Sequence, residues 1–212
     1  MTKRLLARAA GALWLAGVAP PALALPVISE IFYDAVGSDD GLSFVELYGL
    51  PGASLEGLTL EGVNGADGAV GPAVPLSGVF PADGFFVVAD SVSGGTSAVA
   101  EADLLANFDF QNGPDSIVLR AGALVLDAVG YGSFLPGEVF AGEGQPAPDP
   151  PAGSSLERLF ADRDSGDNAA DFAALATPTP GSAPLQGVPE PAPALGVGLG
   201  LALLARCGRR LR

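Results

Sequence analysis

Between Leu25 and Thr179 the chain consists of short apolar runs broken by clusters of Gly, Pro, Asp and Ser, and this punctuation restricts the fold more than any other feature. The breaks recur at intervals of about ten residues, the spacing of an all-β sandwich or barrel, while helical periodicity is nearly absent. Candidate strands are PVISEIFY (26–33), SFVELY (43–48), LEGLTLEGV (55–63), GFFVVAD (84–90), DSIVLR (115–120) and ALVLDAVGY (123–131). Between them SDDG (38–41), PADG (81–84) and NGPD (112–115) tolerate tight turns, and Arg120-Ala121-Gly122-Ala123 reads as a hairpin loop. Most strands are therefore expected to pair antiparallel. GEGQPAPDPPAGSS (142–155) is too rich in Pro and Gly for regular structure and is expected to run over the surface, after which SLERLF resumes a short apolar pattern.

The two ends read as addresses rather than as parts of the fold. Lys3, Arg4 and Arg8 precede an apolar core around Leu13 to Val18, and Ala22-Leu23-Ala24 is a small-x-small site suited to signal peptidase, so 1–24 is expected to be a signal peptide cut after Ala24. Only Arg120, Arg158 and Arg163 are basic between residues 25 and 189, against 23 acids, a net charge of −20. Such a surface repels phosphate backbones and anionic lipid, which excludes nucleic acid as a partner and leaves polyvalent cations open. The chain has no His, and its single Lys, Trp and Cys are Lys3, Trp14 and Cys207, all near the ends. An exported domain without Cys has no disulfide staple and must rely on its hydrophobic core. The same absences remove a Ser-His-Asp triad, Cys and Lys nucleophiles and the usual zinc ligands, so carboxylate chemistry is what remains.

SEI (29–31) and FVELY (44–48), then LEGLTLEG, FPADGFFVVAD, NGPDSIVLRAGALVLDAVGYG and SSLERLFADRDSGDNAADFAALATPTPGS, together resemble the bacterial branch of the lamin tail domain over residues 26–182. The resemblance implies an immunoglobulin-like antiparallel β-sandwich over 25–182, a fold that hosts binding, adhesion and scaffolding more often than chemistry. Residues 183–187 then read as a linker. The end of the chain is similar to the PEP-CTERM sorting signal (188–212): Val188, Pro189, Glu190 and Pro191 match its V-P-E-P motif, followed by an apolar run from Ala192 to Ala205 and by Arg206, Arg209, Arg210 and Arg212. This resemblance implies processing by an exosortase-type membrane enzyme in a Gram-negative cell that makes exopolysaccharide. The arginines would stay cytoplasmic by the positive-inside rule, holding the domain transiently across the inner membrane before release to the cell surface or matrix. As a short hydrophobic helix the run of 14 residues would reach about 21 Å, less than a hydrocarbon core of about 30 Å, which suits temporary retention better than anchoring.

Two constellations can carry chemistry. Glu30 and Glu46 sit on neighbouring candidate strands and could form the paired carboxylates of a glycosidase-like hydrolase. Simple β alternation also accounts for them, with each glutamate facing solvent or accepting hydrogen bonds from a neighbouring loop while Ile28, Ile31, Val45 and Leu47 pack. ADRDSGDNAADF offers Asp162, Asp164, Asp167, Asn168 and Asp171 as oxygen ligands for calcium, which takes about six to eight. The spacing departs from an EF-hand loop, whose third and twelfth positions fall on Gly166 and Ala173. The same residues suit an Asx-turn and capping segment that closes the sandwich, with Arg158 or Arg163 pairing one carboxylate. The SDDG loop, with Asp34, Asp39 and Asp40, is a weaker acidic candidate. Sugar binding would rest on Tyr33, Tyr48 and Tyr131, at least two of which are expected at the core edge with hydroxyls in water. The sequence thus leads to an exported, non-catalytic surface or matrix protein with a binding or structural role, its partners being signal peptidase, an exosortase-type enzyme and anionic exopolysaccharide or a surface protein. A carboxylate-dependent hydrolase and a passive spacer are the alternatives.

Overall fold

The computed structural model describes residues 25–186. The expected signal peptide with Ala22 and Ala24, the sorting motif Val188, Pro189, Glu190 and Pro191, and the short hydrophobic helix after it lie outside the described residues.

Ten strands and one four-residue helix follow in order: β1 (Val27–Phe32), β2 (Phe44–Tyr48), β3 (Leu58–Asn64), β4 (Val70–Pro75), β5 (Phe85–Asp90), β6 (Leu104–Ala106), β7 (Asp115–Ala121), β8 (Leu124–Tyr131), β9 (Ser155–Arg158), α1 (Asn168–Asp171) and β10 (Phe172–Leu175). They form a six-stranded sheet, ordered β10-β9-β1-β2-β5-β6, and a four-stranded sheet, ordered β4-β3-β7-β8. All pairings are antiparallel except β5 with β6. Gly122, with φ +59°, makes the tight turn that joins β7 to β8 in the expected hairpin.

Alternation along each strand sends one set of side chains between the sheets. Ile28, Ile31, Val45, Leu47, Phe86 and Val88 from the larger sheet meet Leu60, Val74, Ile117, Leu119, Val129 and Tyr131 from the smaller one in a single cluster. This is an all-β, two-sheet sandwich held by apolar burial. Ile28 and Ile31 both reach the core although three positions separate them, because the register slips between Ile28 and Glu30 and Ser29 is an extra residue, a β-bulge.

Two loops and a tyrosine pair are fastened more firmly than the sequence predicts. Residues 142–155 do not simply cross the surface: Ala147 is buried and bridges to Tyr131, exchanging backbone hydrogen bonds with Gly130 and Gly132 at 2.8 and 3.1 Å. Tyr33 and Tyr131 stack at 4.5 Å and are both buried, and their hydroxyls donate to Asp149 Oδ1 (2.6 Å) and the Gln111 carbonyl (2.9 Å) rather than facing water. The expected linker begins hydrogen-bonded to the domain: the Ala161 amide donates to the Pro184 carbonyl at 2.8 Å, and the Gln186 amide donates to Asp162 Oδ1 at 2.7 Å.

Leu119 has no exposed surface and lies in the cluster between the sheets. Leu119→Ala is expected to lower unfolding stability by about 2–5 kcal/mol in urea titrations. Leu124→Ala, at a site 62% exposed, should stay within about 0.5 kcal/mol of the parent.

Candidate functional site

The register of the larger sheet sets Glu157 on β9, Glu30 on β1 and Glu46 on β2 side by side. Because Ile31, Val45 and Leu47 turn into the core, the glutamates project from the opposite, outer face. That face is not open to solvent at this point, and Glu30 and Glu46 have no exposed surface. The chain beyond β10 returns across them. The Thr179 amide donates to both Glu30 oxygens at 3.1 and 3.2 Å, and the Gly181 amide donates to Glu46 Oε2 at 2.6 Å. The Ser29 hydroxyl donates to Glu46 Oε1 at 2.6 Å, the Ser155 hydroxyl donates to Glu30 Oε1, and the Thr179 hydroxyl lies 3.3 Å from Glu30 Oε2. The bulged Ser29 thus places its hydroxyl on the second glutamate.

Burial pushes the Glu46 carboxyl up to about 7, with its hydrogen bonds from Ser29 and Gly181 opposing and the neighbouring Glu30 and Glu157 adding to the rise. Glu30 is raised by burial too, against hydrogen bonds from Ser155 and Thr179, and Glu157 is raised by burial. The two residues singled out as a hydrolase pair are therefore neighbours on one face. The backbone of residues 179–181 occupies the approach a sugar would need.

A second acidic centre surrounds Arg158, which is fully buried. Its Nη2 donates to Asp127 Oδ2 at 2.8 Å and its Nε donates to the Ile28 carbonyl at 2.8 Å. Nη1 lies 3.2 Å from the Arg163 carbonyl, 3.3 Å from Asp171 Oδ2 and 3.5 Å from Asp164 Oδ1. The guanidinium also covers the Phe172 ring at 4.5 Å. Asp127 is equally buried and accepts from the Ile28 amide at 2.6 Å and the Ala128 amide at 2.9 Å. The ladder shift at Ser29 leaves the Ile28 amide and carbonyl to be met by side chains, and Asp127 and Arg158 meet them. Burial raises the Asp127 carboxyl, with the Arg158 charge opposing.

The five residues that could offer oxygens to calcium, or close the sandwich by capping, are set to separate tasks. Asp167 caps α1 by accepting from the Ala169 amide, and Asn168 is buried, accepting from the Gly130 and Glu143 amides at 2.9 and 2.8 Å and donating to the Ala128 carbonyl at 2.9 Å. Asp171 accepts from the Ser165 amide and hydroxyl at 2.8 and 2.7 Å as well as facing Arg158, and Asp162 accepts from Gln186. This is a closing segment built on capping, and of the two arginines considered Arg158 forms the ion pairs with Asp164 and Asp171. Among the described residues only Asp164 of the five joins a group of three carboxylates with oxygens within 4.8 Å of one another, its companions being Asp127 and Glu143. Glu143 Oε2 is buried without a hydrogen-bond partner, and burial, then Asp127 and Asp164, push its carboxyl up to about 7. The centre can thus hold a proton, while Arg158 already neutralises part of its charge.

Asp127 and Glu143 were not singled out in the sequence. An aspartate in the middle of the otherwise apolar ALVLDAVGY signals a buried charge that needs a partner, whereas nothing local marks Glu143. Of the SDDG loop, Asp39 and Asp40 line a polar hollow of about 320 Å³ with Asp90 and Asp109, and Asp34 lies outside it. Asp90 is engaged there by the Gly41 and Phe108 amides at 2.7 and 3.0 Å.

The Glu46 proton gives stability a pH dependence. Below about 4.5 the folded and unfolded chains both hold it; between about 4.5 and about 7 only the folded state does, so stability falls as pH rises through that window. Glu46→Gln keeps an acceptor for Gly181 and a donor toward Ser29. Urea midpoints between pH 5 and pH 8 should fall less steeply for this variant, leaving it more stable at pH 8 by on the order of 1–3 kcal/mol. Parallel pH curves would remove the buried proton from the account.

No protein-family model, curated protein or solved structure matches the chain.

Proposed function

We propose that the chain is an exported, non-catalytic surface or extracellular-matrix protein: an immunoglobulin-like sandwich of the lamin-tail type, delivered by the signal peptide 1–24 and sorted at its C-terminus by an exosortase-type enzyme. The observation that supports a non-catalytic role is the use made of the buried acids. Glu30, Glu46 and Asp127 accept hydrogen bonds from backbone amides and from serine or arginine side chains, and both glutamates lie beneath residues 179–181. A catalytic carboxylate must reach a substrate atom, and here that position is filled by the protein's own backbone.

The exposed acids carry the binding role. Asp40, Asp109, Asp162 and Asp164 are at the surface of a domain with net charge −20. Such a surface repels an anionic exopolysaccharide unless a divalent cation bridges the two, and calcium accepts carboxylate oxygens from both sides. The tail supports the sorting role, since V-P-E-P, a short apolar run and terminal arginines follow directly on a domain fastened as far as Gln186.

Intact-mass analysis of the cell-surface form tests the sorting role. The expected mass is that of a chain beginning at Leu25 and lacking the arginine cluster 206–212, and replacing Pro189 and Glu190 by Ala should leave that cluster in place. A surface form of the parent that keeps residues 206–212 would overturn the reading. Calorimetric titration of the same material with calcium should give a saturable isotherm, and a flat one would remove calcium bridging.

A further inference from the structure

We propose that residues 176–182 are a pH-released latch: they close over Glu30 and Glu46 in acid and lift from the outer face of the larger sheet as the medium becomes neutral, while the sandwich beneath stays folded. The latch depends on neither export nor sorting.

The sequence of this segment, ATPTPGS, limits how it can be held. Pro178 and Pro180 have no amide hydrogen, so from 178 to 181 only Thr179 and Gly181 can donate. Both donate to buried carboxylates, Thr179 to Glu30 at 3.1 and 3.2 Å and Gly181 to Glu46 at 2.6 Å. No residue from 176 to 182 is itself buried, so the attachment is mainly polar. The two ends are fastened separately: β10 pairs with β9 as far as Leu175, and the Ala161 amide donates to the Pro184 carbonyl at 2.8 Å. Lifting 176–182 therefore breaks no strand pairing, and none of the hydrogen bonds of Arg158 reaches it. Segments held by so few buried contacts open locally, at a lower free energy than global unfolding.

Beneath the latch lie three acids and no base. Glu157, Glu30 and Glu46 are neighbours on β9, β1 and β2, and the Thr179 hydroxyl lies 3.5 Å from Glu157 Oε1. On the far sides Ala173 of β10 stands opposite Glu157 and Val87 of β5 opposite Glu46, and neither ionises. The other ionisable groups at this face are acids too: Asp103 bonds to both the amide and the carbonyl of Val87, and the Glu101 side chain lies beside Gly181. Among the described residues the arginine ion pairs go elsewhere, Arg120 to Glu61 and Arg158 to Asp127, Asp164 and Asp171. Ionisation of the covered row thus meets no counter-charge, and a carboxylate under the latch is less stable than one in water. A proton on Glu46 relieves this without loss of a contact, since Oε1 can then donate to the Ser29 hydroxyl while Oε2 still accepts from Gly181.

Lifting the latch returns Glu46 to water, where its carboxyl takes the ordinary value of 4.5, whereas under the latch burial pushes it up to about 7. Closing therefore takes up a proton between those values. Below about 4.5 both forms hold the proton and the latch is at its most stable; above about 7 neither does, and the full loss has been reached. In between, the opening constant rises up to about tenfold per pH unit, on the order of 50-fold from pH 5 to pH 8. Glu30, also raised by burial, adds to the change in the same direction. Global unfolding carries the same sign, because it too exposes Glu46. What distinguishes the latch is that the sheets stay paired when it opens.

Amide hydrogen exchange of the full chain, read residue by residue between pH 5 and pH 8 and corrected for the rate of an unstructured chain at each pH, tests the latch. The Thr179 and Gly181 amides should lose protection on the order of 50-fold across that range. At every pH they should exchange faster than the amides of Ile117 and Leu119 in the core, and low urea should speed the core amides but not these two. Glu46→Gln, which keeps an acceptor for Gly181, should remove most of the pH dependence at both amides, and adding Glu30→Gln should remove the rest. Glu61→Gln, at the Arg120 pair on the other sheet, should leave it unchanged. Urea that speeds Thr179 and Gly181 in parallel with the core amides would mean that the segment opens only with the whole domain, which overturns the proposal. Protection of both amides that is independent of pH in the parent, or a pH dependence that survives the double glutamine variant, overturns it as well.

Discussion

A guanidinium with no exposed surface must be met on every side, and Arg158 is met by parts of the chain that are distant in sequence. Its own strand is β9, its Nε reaches the Ile28 carbonyl on β1, its Nη2 reaches Asp127 on β8 in the opposite sheet, and its Nη1 faces Asp171 at the end of α1. Removing one partner of such a buried pair leaves an uncompensated charge and costs about 3–5 kcal/mol. The domain has no cysteine, so this ion cluster is its nearest equivalent to a cross-link between the sheets. The bulge at Ser29 belongs to the same arrangement, since it hands the Ile28 amide and carbonyl to Asp127 and Arg158 while keeping both Ile28 and Ile31 in the core.

The placement of the closing segment follows from that cluster. Asp171 and the Phe172 ring sit against Arg158, β10 then pairs with β9, and the chain turns back over the outer face to cover Glu30 and Glu46. The carboxylates that suggested hydrolysis thereby become the fastening for residues 179–181. The same path brings Gln186 to Asp162, which lines an apolar groove together with Leu25.

The strands with clean alternation or continuous apolar runs were legible: β1, β2, β5 and β8 fall within the segments their sequences marked, and β3 and β7 each run one residue past theirs. Strand β4 was hidden by Gly71, Pro72 and Pro75, which a strand tolerates only at a sheet edge, where β4 lies. At three residues, β6 is too short for any period to show, and its parallel pairing with β5 depends on contacts no local pattern encodes. Alternation placed Glu30 and Glu46 on the face away from the core, but their burial depends on Thr179 and Gly181, more than a hundred residues later. For the same reason the acid-rich 162–171 stretch left both calcium and a capping segment open: its composition was visible, whereas the choice of Arg158 over Arg163 and the Asp127 across the sandwich were not marked near it.

The central claim is that Arg158 and Asp127 act as one unit joining the sheets, and a double-mutant cycle of Arg158→Met with Asp127→Leu, read by urea unfolding at pH 7, tests it most directly. Each single change should cost about 3 kcal/mol or more, and the double change should cost less than their sum by more than about 1 kcal/mol. Costs that add to within about 0.5 kcal/mol would mean that the two residues stabilise the fold independently, contradicting the account.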